Sequence, residues 1–212
     1  MIVNIFYANQ YKMSKKNPGR PKKYDKATAL NDAMGVFWVE GYTKTSVDQI
    51  SLATKMKRPS LYSAFGNKKS IYRKASAAFS DSFLKELENR LNGGPNLKVE
   101  LQNFYFHALT VFNPHPSQSL GCPVLSTAIV AAATDEDIRK DLAKALNRID
   151  AIFELRFELA LENQELPLSI DPRKLSKLAG ALFHSLSLRV RAQQPNINWK
   201  EFINNSVETL LP

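Results

Sequence analysis

The 212-residue sequence contains little cysteine and histidine, with one Cys, Cys122, and three His. A single cysteine excludes an intramolecular disulfide and is typical of a reducing cytoplasm. No apolar run reaches the roughly 18 residues of a membrane span. The opening MIVNIFYANQYK lacks the apolar core and cleavage site of a signal peptide. The sequence therefore predicts a cytoplasmic protein with no membrane partner, and starts at Met1 and at Met13 are both compatible with it.

Catalytic and metal-binding motifs are also missing from the sequence. It has no glycine loop for phosphates, no nucleophile elbow and no HExxH. Cys122, His107, His115 and His184 follow no metal-ligand spacing. We therefore expect no enzyme activity, no cofactor and no metal site.

Acidic residues are scarce in the first third of the chain. Residues 1–80 contain fifteen Lys and Arg against four Asp and Glu, whereas residues 81–212 contain fourteen against sixteen. The overall net charge of +9 is thus concentrated in one segment. Such an asymmetry predicts that the first segment binds a polyanion and the second does something else.

A basic arm opens the charged segment. Residues 14–24, SKKNPGRPKKY, contain Pro18 and Pro21, which oppose a helix. The basic side chains of the arm suited to phosphates or a narrow minor groove are Arg20, Lys22 and Lys23. Apolar residues at helical spacing then predict a supporting helix over residues 25–40, closed by Gly41.

Residues 45–72 read as a helix, a short turn and a second helix. Thr45 and Ser46 offer an N-cap for a helix over 47–54, and a turn follows around 55–57. The second helix begins near Arg58 and ends at Gly66. Its outer face is predicted to carry Lys57, Arg58, Ser60, Tyr62 and Ser63. This geometry places a second helix in the major groove of DNA.

The patterns G-Y-x-x-T-S-V-x-x-I and S-L-Y-S-A-F-G-N-K-K-S-I-Y resemble the N-terminal domain of the TetR/AcrR family of bacterial transcriptional regulators, over about residues 20–75. The resemblance implies phosphate contacts by Thr45, Tyr62 and Lys68. It also implies that the groove is faced by Lys57, Arg58, Ser60 and Ser63.

The turn departs from the family pattern at two positions. Lys55 stands where such proteins usually have a turn glycine, and Lys57 where they often have a serine cap. A lysine in a left-handed conformation carries some strain. We therefore expect a slightly different turn that presents additional positive charge to DNA.

The rest of the chain is predicted to form an all-helical body, with helices over 98–112, 122–133, 135–164, 172–193 and 199–211. The segment 122–133, CPVLSTAIVAAA, is almost wholly apolar. A helix that is apolar all round is predicted to be buried.

The resemblance implies an all-α fold with an N-terminal three-helix helix-turn-helix DNA-binding domain and a helical ligand-binding and dimerisation domain. We expect a flexible basic arm over 1–23, the DNA-binding domain over 24–72 and the body over 73–212. In the family, the last two helices form a four-helix bundle in a homodimer. The expected ligand lining comprises Phe104, Tyr105, Phe112, Cys122, Ile149 and Phe153, although aromatic residues at helical spacing are also typical of a plain core.

The predicted function is a repressor that binds a palindromic double-stranded DNA operator as a dimer and is released by an unknown small-molecule effector. One alternative is a redox- or metal-responsive regulator of the same fold, because Cys122 is predicted at a helix N-terminus, where a thiolate is stabilised. The other is a nonspecific basic DNA-binding protein. Activation instead of repression, and an inert core role for Cys122, remain open on sequence grounds.

Overall fold

The structure is a computed structural model that describes residues 25–114 and 118–211. Within these ranges the chain is helical. The α-helices are α1 (Lys26–Glu40), α2 (Val47–Thr54), α3 (Arg58–Phe65), α4 (Lys68–Glu88), α5 (Leu97–Phe112), α6 (Pro123–Ala128), α7 (Glu136–Glu162), α8 (Pro172–Arg191) and α9 (Trp199–Leu210). The predicted all-α fold, with a helix-turn-helix unit followed by a helical body, is confirmed.

The chain forms two compact units, Met1–Phe79 and Ser80–Pro212, called here the head and the body. The division falls inside α4. The sequence-based limits after residues 23 and 72 stay predictions, and the basic arm lies outside the described residues.

Helix α1 begins after an N-cap, Asp25, and is closed by the predicted Gly41. The carboxylate of Asp25 accepts hydrogen bonds from the hydroxyl and the backbone N–H of Thr28, at 2.7 and 2.8 Å. These bonds lower the pKa of Asp25. Gly41 follows the helix with φ at 78°, a conformation that glycine adopts without a Cβ clash. The predicted supporting helix is confirmed, with Asp25 as its N-cap.

Helices α2 and α3 have the predicted limits. A capping box begins α2: the N–H of Gln49 donates to Ser46 Oγ at 3.2 Å, and the N–H of Ser46 donates to Gln49 Oε1 at 2.7 Å. Lys55 ends α2 in the left-handed region with φ at 55°, as the sequence predicts. Pro59 lies in the first turn of α3, where its missing N–H leaves no bond unmade.

The two-turn helix α3 depends on packing, because a helix of eight residues is unstable alone. Each large apolar side chain buried in the head contributes about 1.5–3 kcal/mol. Tyr72 packs against Phe37 and Tyr42, with ring centroids 5.0 and 4.8 Å apart. The head core includes Phe37, Ile50, Leu61, Phe65 and Ile71.

Aromatic side chains from α5, α7 and α8 fill the centre of the body. The ring centroid of Phe104 lies 4.6 Å from that of Phe153 and 5.9 Å from that of Phe183. Phe183 also meets Phe112 edge-on, at 5.3 Å. Such tilted and edge-on contacts are favoured by the charge distribution of aromatic rings. The three helices are thereby joined through one cluster of rings.

The prediction of one buried helix over 122–133 is wrong. The segment forms the short α6 and then a 3-10 turn over Ala131–Ala133. Between these two elements, Ile129 and Val130 are 49% and 73% exposed. The backbone turns because the N–H of Asp135 bonds to the carbonyl of Ala131 at 2.9 Å, which leads into α7. Hydrophobicity alone did not indicate which side chains such a turn directs outward.

A buried ionic network fastens the connection between α4 and α5 to the end of α7. Arg156 donates from Nε to Glu100 Oε2 at 2.5 Å and from Nη2 to Glu165 Oε2 at 2.9 Å. Glu100 Oε1 accepts from the N–H of Gly94 at 2.7 Å, and Glu165 Oε2 accepts from the N–H of Leu97 at 3.0 Å. The carboxylates thus bind both the guanidinium and the backbone of the loop.

Candidate nucleic-acid interface

The outer face of α3 carries a row of hydroxyl and basic side chains. Leu61 and Phe65 are buried in the head core, and the residues on the other side of the helix are exposed. Tyr62 is 47% exposed, so it is not a core aromatic. The exposed set is the one that the sequence predicts: Lys57, Arg58, Ser60, Tyr62 and Ser63.

Polar contacts between α2, the turn and α3 position this face. Arg58, the first residue of α3, forms a bidentate ion pair with Asp48 in the first turn of α2, using Nε and Nη2 against the two carboxylate oxygens. The hydroxyl of Ser51 donates to the carbonyl of Met56 at 2.5 Å. The hydroxyl of Thr54 donates to the carbonyl of Ile50 at 2.7 Å.

The other residues predicted to contact DNA have different surroundings. Lys68 begins α4, where Nζ donates to the carbonyl of Thr43 at 3.1 Å and lies 4.8 Å from the ring centroid of Tyr42. Thr45 is buried, and its hydroxyl donates to the carbonyl of Gly41 at 2.7 Å. The hydroxyl proton of Thr45 is thus already donated to the carbonyl of Gly41. The phosphate contact of Thr45 stays a prediction. The arm residues Arg20, Lys22 and Lys23 lie outside the described residues.

Positive charge predominates in the described part of the head. Residues 25–79 contain nine Lys and Arg against four Asp and Glu, an excess of +5. Asn67 caps the start of α4, since its Oδ1 accepts a hydrogen bond from the N–H of Ser70 at 2.9 Å. An exposed basic helix beside a capped helix start is an arrangement suited to phosphates and base edges.

The residues predicted to bind a ligand lie in the core of the body. All of them are buried, and several are in ring contact with one another. The ring centroid of Tyr105 lies 5.8 Å from that of Phe153, and its hydroxyl donates to the carbonyl of Ala179 at 2.9 Å. Burial raises the pKa of Tyr105. The set comprises Phe104, Tyr105, Phe112, Cys122, Ile149 and Phe153, and its role in ligand binding stays a prediction.

Cys122 has the surroundings of a core thiol. Burial raises its pKa to about 11, although hydrogen bonds from the backbone N–H groups of Leu125 and Val124 oppose the shift. Reactive cysteines instead have a lowered pKa and partial exposure. The structure therefore disfavours the redox alternative that the position of Cys122 before a helix suggested.

An open groove and two histidines of the body are further candidates for a binding site. The groove, of about 470 Å³, lies at the start of α5 and is bordered by Leu97, Lys98 and Glu208. His107 Nε2 lies 3.2 Å from Glu86 Oε2, and burial lowers the pKa of His184. Across 25–114 and 118–211, no group of three or more His, Cys, Asp or Glu is placed to hold a metal ion.

Comparison with protein families identifies both units. Residues 29–75 match the family described as "Bacterial regulatory proteins, tetR family", and residues 99–205 match "Tetracyclin repressor-like, C-terminal domain". The chain belongs to the TetR family. It is a helix-turn-helix transcriptional regulator, and the predicted resemblance is confirmed.

Individual members of the TetR family match most of the chain. The repressor ComR of Escherichia coli is 27% identical over 181 residues, which cover 84% of each chain. A cysteine mutant of CifR, in complex with 26-base-pair double-strand operator DNA, is 26% identical with a TM-score of 0.77, covering 90% of this chain and 97% of that one. Reduced NemR of E. coli, 17% identical, shares the fold, with a TM-score of 0.74 over 86% of this chain and 93% of that one.

No described helix of this TetR-family chain is both long and apolar enough to cross a membrane.

Two features of the TetR-family chain were not predicted. The pairing of Asp48 with Arg58 has little signal in the sequence. An acidic residue in the first turn of α2 is explained equally well by the helix dipole. Arg156 binds Glu100, which lies 56 positions earlier in the chain, and Glu165, which lies 9 positions later. Helical spacing indicates which residues share a face, and carries no signal for pairs across a fold.

Proposed function

We propose that this TetR-family regulator is a repressor that binds a palindromic double-stranded DNA operator as a homodimer. A small-molecule effector bound in the body releases it. It acts in the bacterial cytoplasm, without enzymatic turnover or a cofactor. The observation that carries the proposal is the exposed face of α3, with Lys57, Arg58 and Tyr62 on a helix anchored by buried Leu61 and Phe65.

The head would place α3 in the major groove while α2 and the start of α4 face the backbone. Basic and hydroxyl side chains on one short helix provide donors to both phosphates and base edges. The names of two similar proteins support this function: ComR is described as a repressor, and CifR forms a complex with operator DNA. We propose residues 24–72 as the DNA-binding domain, residues 73–212 as the body and residues 1–23 as an arm that adds phosphate contacts.

A gel-shift titration tests the DNA-binding proposal. The full chain is titrated against a palindromic sequence from upstream of its own gene and against random duplex of equal length, at several salt concentrations. A repressor binds the palindrome more tightly than random DNA by a factor of about 10³ or more. Equal affinity for both, falling equally with salt, would instead identify a nonspecific basic protein.

Dimerisation is proposed to occur through α8 and α9. Leu178 and Leu188 of α8 are 62% and 48% exposed, and Arg189 lies over the half-buried Phe202 ring of α9, 5.3 Å from its centroid. Leucines exposed along one helix are typical of an interface between subunits. A dimer with two-fold symmetry would also match the two half-sites of a palindrome.

We expect the double variant Leu178→Asp/Leu188→Asp to be a monomer that has lost operator binding, because two buried charges at an interface have no partners. Sedimentation velocity measures the mass. Leu168→Asp is the matched control, since Leu168 is 89% exposed between α7 and α8, and it keeps the parental mass. A double variant that remains dimeric would refute this interface.

The effector site is proposed within the aromatic cluster around Phe104 and Phe153. Because these rings are packed at 4.6 Å, an effector must select an arrangement in which they separate. A ligand shifts the protein toward that arrangement only by its difference in affinity for the two states. The lining favours a largely apolar molecule. A thermal-shift screen identifies candidates, and a true effector must also release the operator in the gel shift.

A further inference from the structure

Arg58 and Asp48 form an ion pair of a specific geometry at the start of α3. Nε of Arg58 donates to Oδ1 of Asp48, and Nη2 lies against Oδ2. The carboxylate therefore occupies one side edge of the guanidinium. The two side chains are 57% and 65% exposed, so the pair lies on the surface of the head.

A negative charge at Asp48 opposes DNA binding unless another interaction of the carboxylate compensates for it. Residues 25–79 contain four acidic side chains, and Asp48 is the one paired with the face of α3. A carboxylate near phosphates is repelled by them. Its negative charge is offset here by Arg58, and the two-point contact fixes the plane of the guanidinium, which a single contact does not do.

The remaining edge of Arg58 is suited to a base. A guanidinium has five N–H donors; Asp48 takes one from Nε and one from Nη2, which leaves the outer edge formed by Nη1 and Nη2. That edge presents two parallel donors. Guanine presents two acceptors, O6 and N7, in the major groove, and the bidentate arginine contact to them is the commonest specific contact.

We propose that Arg58 reads a guanine in each half-site of the operator and that Asp48 is the positioning residue that orients it. The inference rests on the proposed function, since it requires α3 in a major groove. A phosphate contact by Arg58 would not need a fixed guanidinium plane. Lys57, the preceding residue, is exposed and carries a point charge on a flexible stem, which has no planar fork to orient.

A binding selection from random double-stranded DNA, run at one salt concentration, tests the inference. The full-length parent is compared with Arg58→Lys, which keeps the charge and loses the two-donor edge, and with Asp48→Asn, which keeps the size and loses the charge. Lys57→Ala is the matched neighbour for a phosphate contact. Lys140→Ala, on the exposed surface of α7, controls for charge removal far along the chain. Circular dichroism verifies folding.

We expect the parent to select a palindrome with one guanine per half-site that Arg58→Lys no longer selects, the preference falling about tenfold or more. Asp48→Asn weakens the same preference while its affinity for random DNA rises, because a negative charge is gone. A merely structural role for Asp48 would not combine these changes. Lys57→Ala lowers affinity for all sequences alike, and Lys140→Ala matches the parent.

Two results overturn the inference in distinguishable ways. If the parent selects a palindrome and Arg58→Lys and Asp48→Asn select it with unchanged base preferences, the reading of guanine by Arg58 is wrong and the proposed function stands. If the parent selects no sequence at all, the proposed function fails and this inference fails with it.

Discussion

Replacing Arg156 with methionine is expected to destabilise the body strongly. The substitution keeps an unbranched apolar side chain and removes the guanidinium, which leaves the carboxyl groups of Glu100 and Glu165 without their cationic partner in side chains only 10% and 16% exposed. Removing one partner of a buried ion pair costs about 3–5 kcal/mol. For a chain of this length, that loss lowers the melting temperature by roughly 10 °C.

The pH dependence provides a second signature of the Arg156 network. Burial raises the pKa of Glu165, but hydrogen bonds and charge from Arg156 outweigh it, and the net pKa is lowered. In the parent, this contribution to stability is therefore present above the ordinary value of 4.5 and is lost as pH falls through the lowered pKa. Without Arg156, burial favours the protonated acid. The difference between variant and parent should then be largest near neutral pH and shrink in acid.

Urea denaturation in a Trp38→Phe background measures this loss, because Trp199 then reports on the body alone. Arg173→Met is the matched control. Its pair with Glu154 is a surface contact, with Arg173 79% exposed, and we expect a change of less than about 1 kcal/mol. A loss for Arg156→Met as small as that of the control, or one that does not shrink between neutral pH and about pH 4, would refute the reasoning.

Two further predictions concern single residues. Lys55→Gly should raise the unfolding free energy by about 0.5–1 kcal/mol, since glycine adopts φ at 55° without the strain of a side chain. Lys55→Ala loses the same charge and keeps the strain, so it should not raise the unfolding free energy. An equal effect of the two substitutions in urea denaturation would contradict this account. Native Cys122 should resist iodoacetamide at about pH 8 and react after unfolding in urea, as measured by mass spectrometry; rapid native labelling would show an accessible thiol. Burial in the folded protein raises the pKa of Cys122 from 9.0 to about 11. The contribution of the protonated thiol to the unfolding free energy is therefore complete below pH 9 and is lost as pH rises toward 11.

Local signals explain why the head could be predicted closely from the sequence. Ser46, Pro59 and Gly66 each act within a few residues of their own position, and caps and turns depend on such short-range chemistry. The four-residue spacing of Leu61 and Phe65 directs both side chains to one side of a short helix, which predicts that they are buried together. The limits of α2 and α3 and the exposed face of α3 follow from these residues alone.

Contacts between distant residues explain what the sequence did not indicate. Arg156 lies within the predicted helix over 135–164, and its burial depends on Glu100 and on a loop that the sequence does not connect to it. Ile129 and Val130 belonged to an apolar run whose outward side is set by the turn before α7. The pairing of Arg58 with Asp48 was likewise not predicted, because the two residues lie ten positions apart, on either side of a turn.

The contacts of Lys68 would lower the entropic cost of the phosphate contact predicted for this side chain. A free lysine side chain loses up to about 2 kcal/mol of conformational entropy when it is fixed. In Lys68 that restriction already exists, because the carbonyl of Thr43 and the ring of Tyr42 hold its ammonium group. Its contact with a phosphate would then require less ordering at the moment of association than a contact from the exposed Lys57. One N–H of the ammonium is donated to the carbonyl of Thr43, and the other two would be available to a phosphate.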